Sequence, residues 1–218
     1  MVPLEKSKLT EEELENIYAG KVNAKTLNEK SLTTVIGDTR KHYQLTLYTL
    51  VDTAVSGGKR YTVAYADAKW TNNGVYPFQG KEIPAEEEDL IAVTLPERYS
   101  LLNDYFWGSY AGLSNKTPTG RLQTVTQNGI VYAFDEMYKY SNYAAHTYTD
   151  WVRIGARAVT SDLTPAAETF IGQYVHTFKK VNINPTVSLG EGFKWGVDAG
   201  VSFDDKAWPL SSYVSIEY

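Results

Sequence analysis

The chain has 218 residues, with 21 Lys and Arg, 26 Asp and Glu, and a formal charge of −5. This length suits one domain with a sizeable core. The absence of cysteine excludes disulfides, thiol catalysis and thiolate metal sites, and the absence of a long apolar run excludes a helical integral membrane protein. Residues 1–20 carry −3 of the charge and the remainder −2, a balance that argues against electrostatic binding of nucleic acid.

The first predicted element is a short amphipathic helix near the N-terminus. At about 100° per residue, three apolar side chains share one side of it: Leu9, Leu14 and Ile17. Thr10 can cap this helix together with Glu13, three residues on. The small residues Ala19 and Gly20 then end the apolar spacing, where a helix can stop and a peptidase can reach the backbone.

These residues resemble the double-glycine leader of bacteriocins and quorum peptides that Gram-positive bacteria export. The family pattern reads Leu-Ser-x-x-Glu-Leu-x-x-Ile-x-Gly-Gly, and this chain matches it in register at Leu9, Thr10, Glu13, Leu14, Ile17, Ala19 and Gly20. The resemblance implies that an ABC exporter with a peptidase domain recognises Leu9, Glu13, Leu14 and Ile17 and cleaves at Ala19-Gly20, after Gly20.

Two residues depart from the family pattern: Ala19 replaces a glycine, and Lys6 stands where many leaders are apolar. The resemblance covers residues 1–20 only and implies nothing about the fold of the remainder. The alternative is an ordinary acidic surface helix. A secretory signal peptide fits poorly because the segment has no apolar run of about 7–15 residues.

The sequence predicts a lead-in segment at 21–41 and a β-rich domain at 42–218. The clearest β-hairpin runs from His42 to Trp70, with apolar and polar residues alternating on both sides of the turn Ser56-Gly57-Gly58-Lys59. One face of such a hairpin can pack on a core. The alternative is insertion into a membrane, because its strands are long enough for a tilted span.

Residues 75–100 are predicted to be mostly irregular, with the acidic cluster Glu86-Glu87-Glu88-Asp89 before a short apolar run. Adjacent carboxylates suggest either a solvated acidic face or a cation site, although the spacing of a known calcium loop is missing. The densest aromatic patch follows at Tyr105, Phe106, Trp107 and Tyr110. These rings either close a core or bind a glycan or a lipid interface.

Further strands are predicted along the rest of the chain. A second hairpin is centred on Asn128-Gly129, another strand runs from Thr147 to Val159, and Phe170 to Val181 is a strand or a short helix followed by one. After a break at Asn182 to Pro185, strands are predicted in Phe193 to Phe203 and Tyr213 to Tyr218. The predicted fold is therefore mostly β, an antiparallel β-sandwich or open barrel preceded by the short N-terminal helix.

No motif for catalysis or for a cofactor stands out. The histidines His42, His146 and His176 lack metal-site spacing, so scattered histidines are favoured over a metal site. Neither a serine-nucleophile signature nor a phosphate-binding glycine loop is present. We therefore predict neither an enzyme nor a bound cofactor or metal.

The leading hypothesis is a secreted, extracellular, bacteriocin-like antimicrobial protein of a Gram-positive bacterium that acts on the envelope of target cells. Its expected partners are the exporter, an envelope component or glycan of the target, and a possible immunity protein. Insertion of residues 42–70 is one mechanism. The alternative is a secreted β-sandwich that binds a cell surface or glycan without killing.

Overall fold

The computed structural model describes residues 45–70, 88–110, 119–135, 137–139, 146–149, 151–177, 183–188, 191–197 and 207–218. The predicted N-terminal helix and the lead-in segment lie outside these residues. The described part is built from antiparallel strands and contains no helix. No segment of it could therefore cross a bilayer as a helix.

Thirteen strands form in the described residues, and most coincide with the apolar and alternating stretches of the sequence. They are β1 (Leu45–Ser56), β2 (Lys59–Trp70), β3 (Glu88–Thr94), β4 (Ser100–Tyr110), β5 (Gly120–Thr126), β6 (Gly129–Asp135), β7 (Met137–Lys139), β8 (His146–Tyr148), β9 (Trp151–Thr160), β10 (Ala167–Thr177), β11 (Ile183–Ser188), β12 (Gly192–Val197) and β13 (Ala207–Glu217). The prediction that 75–100 is mostly irregular is wrong at Glu88–Thr94, where a buried apolar run forms a strand.

Two antiparallel sheets face each other and make a β-sandwich, which confirms the predicted fold class for the described part. The four-stranded sheet has the order β1-β2-β9-β4, and the five-stranded sheet has the order β13-β10-β3-β6-β5. The hairpins β7-β8 and β11-β12 form two smaller sheets. Because buried side chains of both large sheets belong to one cluster, the main core lies between them.

Small side chains on one sheet face large side chains on the other. The four-stranded sheet contributes a row of buried alanines: Ala64, Ala66, Ala68, Ala156 and Ala158. The five-stranded sheet contributes Phe134, Phe170 and Tyr174, which are also fully buried. This complementarity lets bulky rings fill the space between the sheets at the density of a protein interior.

The hairpin β1-β2 forms as predicted, and it packs one face on this core. Gly57 and Gly58 have φ values of 58° and 72°, the left-handed conformation that a type I′ hairpin turn requires at both central positions. On β1, Leu45, Leu47 and Val51 point inward as their parity predicts. Val55, of the same parity, is exposed because it lies next to the turn.

The second predicted hairpin also forms, but its turn differs from the prediction. Thr126 pairs with Gly129, so the turn residues are Gln127 and Asn128 rather than Asn128 and Gly129. Gly129 is required for another reason: a Cβ there would lie 2.8 Å from the Phe193 ring and 2.9 Å from the Val93 carbonyl oxygen. Packing therefore explains this glycine.

The predicted break at Asn182 to Pro185 is wrong from Ile183 onward, because Ile183 begins strand β11; Asn182 lies outside the described residues. The β11-β12 hairpin covers the outer face of the five-stranded sheet, where Ile183 and Phe193 enter a second, smaller core. The Gln173 side chain holds this hairpin on the sheet through two hydrogen bonds. Phe193 N donates to Gln173 Oε1 at 2.5 Å, and Gln173 Nε2 donates to Phe193 O at 3.1 Å. One amide side chain thus satisfies both backbone groups of Phe193.

A buried threonine ties the two large sheets together. Thr49 Oγ1 accepts a hydrogen bond from Gly172 N at 2.9 Å and donates one to Ser212 O at 2.9 Å. Gly172 has no side chain because a Cβ there would lie 2.5 Å from Thr49 Oγ1. The hydroxyl of β1 therefore occupies a position inside the β10-β13 ladder.

We predict that Thr49→Val lowers the free energy of unfolding by about 1–3 kcal/mol, because it leaves two buried backbone groups unpaired while keeping the volume of the side chain. Urea denaturation monitored by tryptophan fluorescence measures this change. Thr186→Val is the matched control, because Thr186 is exposed on β11. Equal stability of the two variants would contradict the role given to the Thr49 hydroxyl.

Candidate functional site

Four connections, each taken with the strand ends that flank it, lie at the same end of the sandwich: residues 53–62, 95–104, 124–129 and 158–168. Residues 215–218 lie at this end too, and we call the whole the loop end. Strand pairing places them there. Arg60 is opposite Thr160 and Ser100 is opposite Val159 in one sheet, while Thr94 is opposite Gly129 and Ala167 is opposite Glu217 in the other. Clustered loops on a rigid sandwich are where binding residues commonly lie.

Apolar side chains are exposed at the loop end. Six large hydrophobic residues of the described part are exposed, and four of them belong to this end: Val55 (61%), Leu102 (38%), Val125 (41%) and Leu163 (37%). Leu163 lies in the β9-β10 connection, and Val55, Leu102 and Val125 lie on the strand ends that flank the other three connections. Single exposed apolar residues need no explanation, but several on one end mark a candidate contact surface.

A buried carboxylate organises the base of the loop end. Glu168, at the start of β10, has 3% exposure. Its Oε1 lies 3.3 Å from Arg60 Nη1 and forms an ion pair with Arg98, and its Oε2 accepts a hydrogen bond from Tyr99 OH at 2.5 Å. These partners belong to β2 and to the β3-β4 connection, so one carboxylate joins three separate parts of the chain.

The C-terminal strand joins the same cluster through Tyr218. Its ring lies under the Arg60 guanidinium, 3.5 Å from Cζ to the ring centroid, which is a cation–π contact. Burial, the largest cause, raises the pKa of Tyr218, so this hydroxyl stays neutral at physiological pH. Its ring thus covers the guanidinium that balances Glu168.

Asn128 joins the β5-β6 turn to the β3-β4 connection. Its Nδ2 lies 3.2 Å, 3.2 Å and 2.9 Å from the carbonyl oxygens of Pro96, Glu97 and Tyr99. Backbone bonds add to this contact, because Leu95 N donates to Asn128 O at 2.7 Å. The turn residue that the sequence marks for its conformation therefore acts through its side chain.

The connection from β9 to β10 is held by Asp162. Thr164 N donates to Asp162 Oδ1 at 2.9 Å, Asp162 N donates to Thr160 Oγ1 at 3.1 Å, and Arg98 Nη1 donates to Thr164 O at 2.8 Å. Hydrogen bonds from Thr164, the largest cause, lower the pKa of the Asp162 carboxyl. The ionised side chain thus shapes the loop that carries Leu163.

The predicted aromatic patch is divided between the two faces of β4, because neighbouring residues of a strand point in opposite directions. Tyr105 and Trp107 pack against the main core, and the Trp107 ring stacks on that of Tyr132 at 5.6 Å. Phe106 lies on the outer face, 5.3 Å from the Tyr65 ring. Tyr110 ends the strand. A binding role for these four residues stays a prediction.

The outer face of the four-stranded sheet holds a second polar cluster, which the sequence analysis missed. Asp67 is fully buried there. Its Oδ2 accepts from Arg153 Nε at 2.7 Å, and its Oδ1 accepts from Trp151 Nε1 at 2.7 Å. Burial and then the charge of Asp67 raise the pKa of the neighbouring Tyr48.

A third buried carboxylate lies inside the sandwich at the end opposite the loop end. Asp89 Oδ2 accepts from Tyr174 OH at 2.6 Å and lies 3.1 Å from His176 Nδ1, while Oδ1 accepts from Thr177 N at 2.8 Å. Asp89, Tyr174 and His176 are all fully buried. The sequence spacing predicts only a scattered histidine at His176 and gives no sign of this carboxylate partner.

The two described members of the predicted acidic cluster separate. Asp89 is buried, whereas Glu88 forms an ion pair with Arg121 near the surface. The residues that the structure describes contain no group of three or more His, Asp or Glu side chains that could hold a metal ion. The residues predicted for leader recognition and cleavage all lie outside the described ranges: Leu9, Glu13, Leu14, Ile17, Ala19 and Gly20.

No family model matches the chain, and no curated protein matches it. Among solved structures, the collagen-binding subdomain of the Enterococcus faecalis surface protein ACE has 10% identity over 83% of this chain and 100% of that chain, with a TM-score of 0.40. A structure described as a pore forming protein has 8% identity over 88% and 93% of the two chains, with a TM-score of 0.42.

The Clostridium perfringens NetB toxin in its membrane-inserted form has 8% identity over 86% of this chain and 97% of that chain, with a TM-score of 0.40. At these identities and TM-scores the likenesses assign neither a family nor a function.

We predict that Glu168→Gln lowers the free energy of unfolding by about 3 kcal/mol, because it leaves buried guanidinium groups without a balancing charge. Amide exchange should also speed up at residues 97–99 and 161–166. Glu217→Gln, on the exposed side of the same end, should change neither measurement appreciably. Unchanged exchange in the Glu168 variant would contradict the joining role of this carboxylate.

Proposed function

We propose that this chain is an exported protein that acts at the envelope of target cells and contacts their lipid surface through the loop end. The observation that carries the proposal is the set of four apolar side chains exposed on four different connections of one end. The Glu168 cluster holds three of these connections in fixed relative positions, and Asn128 joins the fourth to them. We call these four exposed apolar side chains the apolar tips. Because the structure already orders them, they lose little conformational entropy when they enter an interface.

The expected strength of this contact is modest. Each tip is already partly buried, so transfer of its remaining apolar surface contributes about 1 kcal/mol. Four tips then provide about 4 kcal/mol, which corresponds to a dissociation constant of about 1 mM. The proposed contact is therefore reversible for one molecule and gains strength when several copies act together.

Insertion of residues 42–70 requires a larger rearrangement. Strand β2 is paired with β9 from Arg60 to Lys69, and Thr49, Asp67 and Arg60 each tie the hairpin to other parts of the sandwich. Contact through the loop end needs none of these bonds to break. We therefore propose surface contact as the first step and leave hairpin insertion as a prediction for any later one.

The bacteriocin-like form of the proposal adds that the target is another bacterium and that contact kills it. Its support is the resemblance of residues 1–20 to double-glycine leaders, with a peptidase-containing exporter as the expected partner. An immunity protein would then protect the producing cell. Inhibition of bacterial growth by the exported protein tests this form.

A second candidate function is binding of a cell-surface glycan without killing. On the outer face of the four-stranded sheet, the Phe106 ring covers Gly155 and the Trp151 ring covers Gly108. A Cβ on Gly155 would lie 2.0 Å from the Phe106 ring, and a Cβ on Gly108 would lie 3.2 Å from the Trp151 ring. Rings laid on a sheet in this way offer stacking surface to a sugar. Retention on purified cell walls without lipid favours this candidate.

We predict that Leu163→Asp and Val55→Asp each weaken binding to mixed phosphatidylcholine and phosphatidylglycerol vesicles by about tenfold, because a charge replaces an apolar group at the lipid interface. Vesicle sedimentation measures the bound fraction. Leu122→Asp is the matched control, because Leu122 is equally exposed at 39% but lies on β5 away from the loop end. Equal losses in all three variants would contradict a contact specific to this end.

The export part of the proposal has its own test. Mass spectrometry of the protein recovered from the culture medium should show Lys21 as the N-terminal residue, because cleavage after Gly20 removes the leader. Substitution of Gly20 by a bulky residue such as Phe should block processing, while Lys6→Leu should leave it intact. Exported protein that retains Met1 would reject the leader.

A further inference from the structure

The charged side chains around the apolar tips affect which lipid headgroups the loop end would attract or repel. At the loop end, the exposed charged side chains are one cation, Lys59, and four carboxylates, on Glu97, Asp104, Asp162 and Glu217. The remaining ionic groups of this end, Arg60, Arg98 and Glu168, are committed to the buried cluster. The rim of the apolar surface is therefore acidic.

Neighbouring cations offset this acidity only in part. Asp104 forms an ion pair with Arg157, and Asp162 Oδ2 lies 3.6 Å from Arg98 Nη1. Two partly exposed guanidinium groups thus face two of the four carboxylates, while Lys59 is the one exposed cation of the described loop end. The rim has no cluster of Lys and Arg of the kind that binds anionic headgroups.

We propose that the loop end is matched to a zwitterionic lipid surface of the phosphatidylcholine type and discriminates against an anionic one. The apolar tips supply the attraction, and the outward choline ammonium groups of such a surface complement the carboxylate rim. Anionic headgroups of phosphatidylglycerol would repel the same rim. This inference rests on the lipid contact of the proposed function, since it specifies the surface that the loop end contacts, and it argues against the bacteriocin-like form where the target membrane is mainly anionic.

The magnitude of the discrimination follows from the charges. Approach to an anionic surface changes the affinity by about fivefold for each elementary charge. The four rim carboxylates exceed the cations that face them, Lys59, Arg98 and Arg157, by one charge, which favours phosphatidylcholine over phosphatidylglycerol by about fivefold at low salt. Because a Debye length is about 10 Å at 0.1 M ionic strength, added salt should reduce the difference, whereas the apolar contribution persists.

The test compares sedimentation of the full chain with pure phosphatidylcholine vesicles and with pure phosphatidylglycerol vesicles, in EDTA so that no divalent cation bridges carboxylate and phosphate. The expected result is binding to phosphatidylcholine about fivefold stronger, with the difference shrinking as salt is added. Equal binding, or stronger binding to phosphatidylglycerol, overturns this inference and leaves lipid contact standing. Binding to neither lipid overturns the proposed function itself.

A charge reversal locates the effect. Glu97→Lys should raise binding to phosphatidylglycerol by about 25-fold and leave binding to phosphatidylcholine within about twofold, because it changes the rim charge by two units of about fivefold each. Asp135→Lys makes the same change in net charge at the opposite end of the sandwich, where Asp135 is exposed. If both variants bind phosphatidylglycerol equally well, net charge alone sets the preference and the rim does not.

Discussion

The position of the loops depends on the burial of the Glu168 carboxylate. A carboxylate removed from water is strongly unfavourable unless cations and hydrogen-bond donors surround it. Arg60, Arg98 and Tyr99 supply these groups, and they come from segments far apart in sequence: 108 residues separate Glu168 from Arg60. The charge can therefore be satisfied only when the hairpin, the β3-β4 connection and β10 occupy their native places together. This requirement couples the loop geometry to the pairing of both sheets.

Two other buried carboxylates follow the same rule elsewhere in the molecule. Asp67 is balanced by Arg153 and Trp151 on an outer face, and Asp89 is bound by Tyr174, His176 and Thr177 within the sandwich. Each carboxylate joins side chains from neighbouring strands. A chain without disulfides thus uses polar clusters, as well as apolar packing, to select one arrangement of its strands. The aromatic and alanine surfaces between the sheets supply the larger apolar stabilisation.

A rigid base beneath exposed apolar tips connects the structure to the proposed function. Weak contact by single side chains becomes selective when the tips are held in one arrangement and their surroundings carry a definite charge. The loop end has both properties, because the Glu168 and Asn128 contacts order its connections and its exposed rim is acidic. The rings of Phe106 and Trp151 on the outer face of the four-stranded sheet lie elsewhere and provide the basis for a different, glycan-binding function. The two surfaces can thus be tested independently.

Local features of the sequence determined much of the strand pattern. Alternation predicted β1 and β2, and the pair Gly57-Gly58 predicted their turn, because both signals depend only on neighbouring residues. A subtler local signal was also present: Glu168 shares its parity with Phe170 and Tyr174, and Asp89 with Ile91 and Val93, which indicates polar side chains on inward positions of apolar strands. Parity alone cannot name their partners.

Only the tertiary structure decided which distant residues meet. Asn128 was assigned to a turn by its sequence context, yet its side chain docks another connection, and Gly129 is needed because Phe193 packs against it. The contiguous aromatic residues of β4 divide between two faces, and Arg60 meets Glu168 although 108 residues separate them in sequence. The physical reason is that the order of strands within and between sheets sets these contacts. That order depends on the total packing of both sheets and is not encoded in any short stretch of chain.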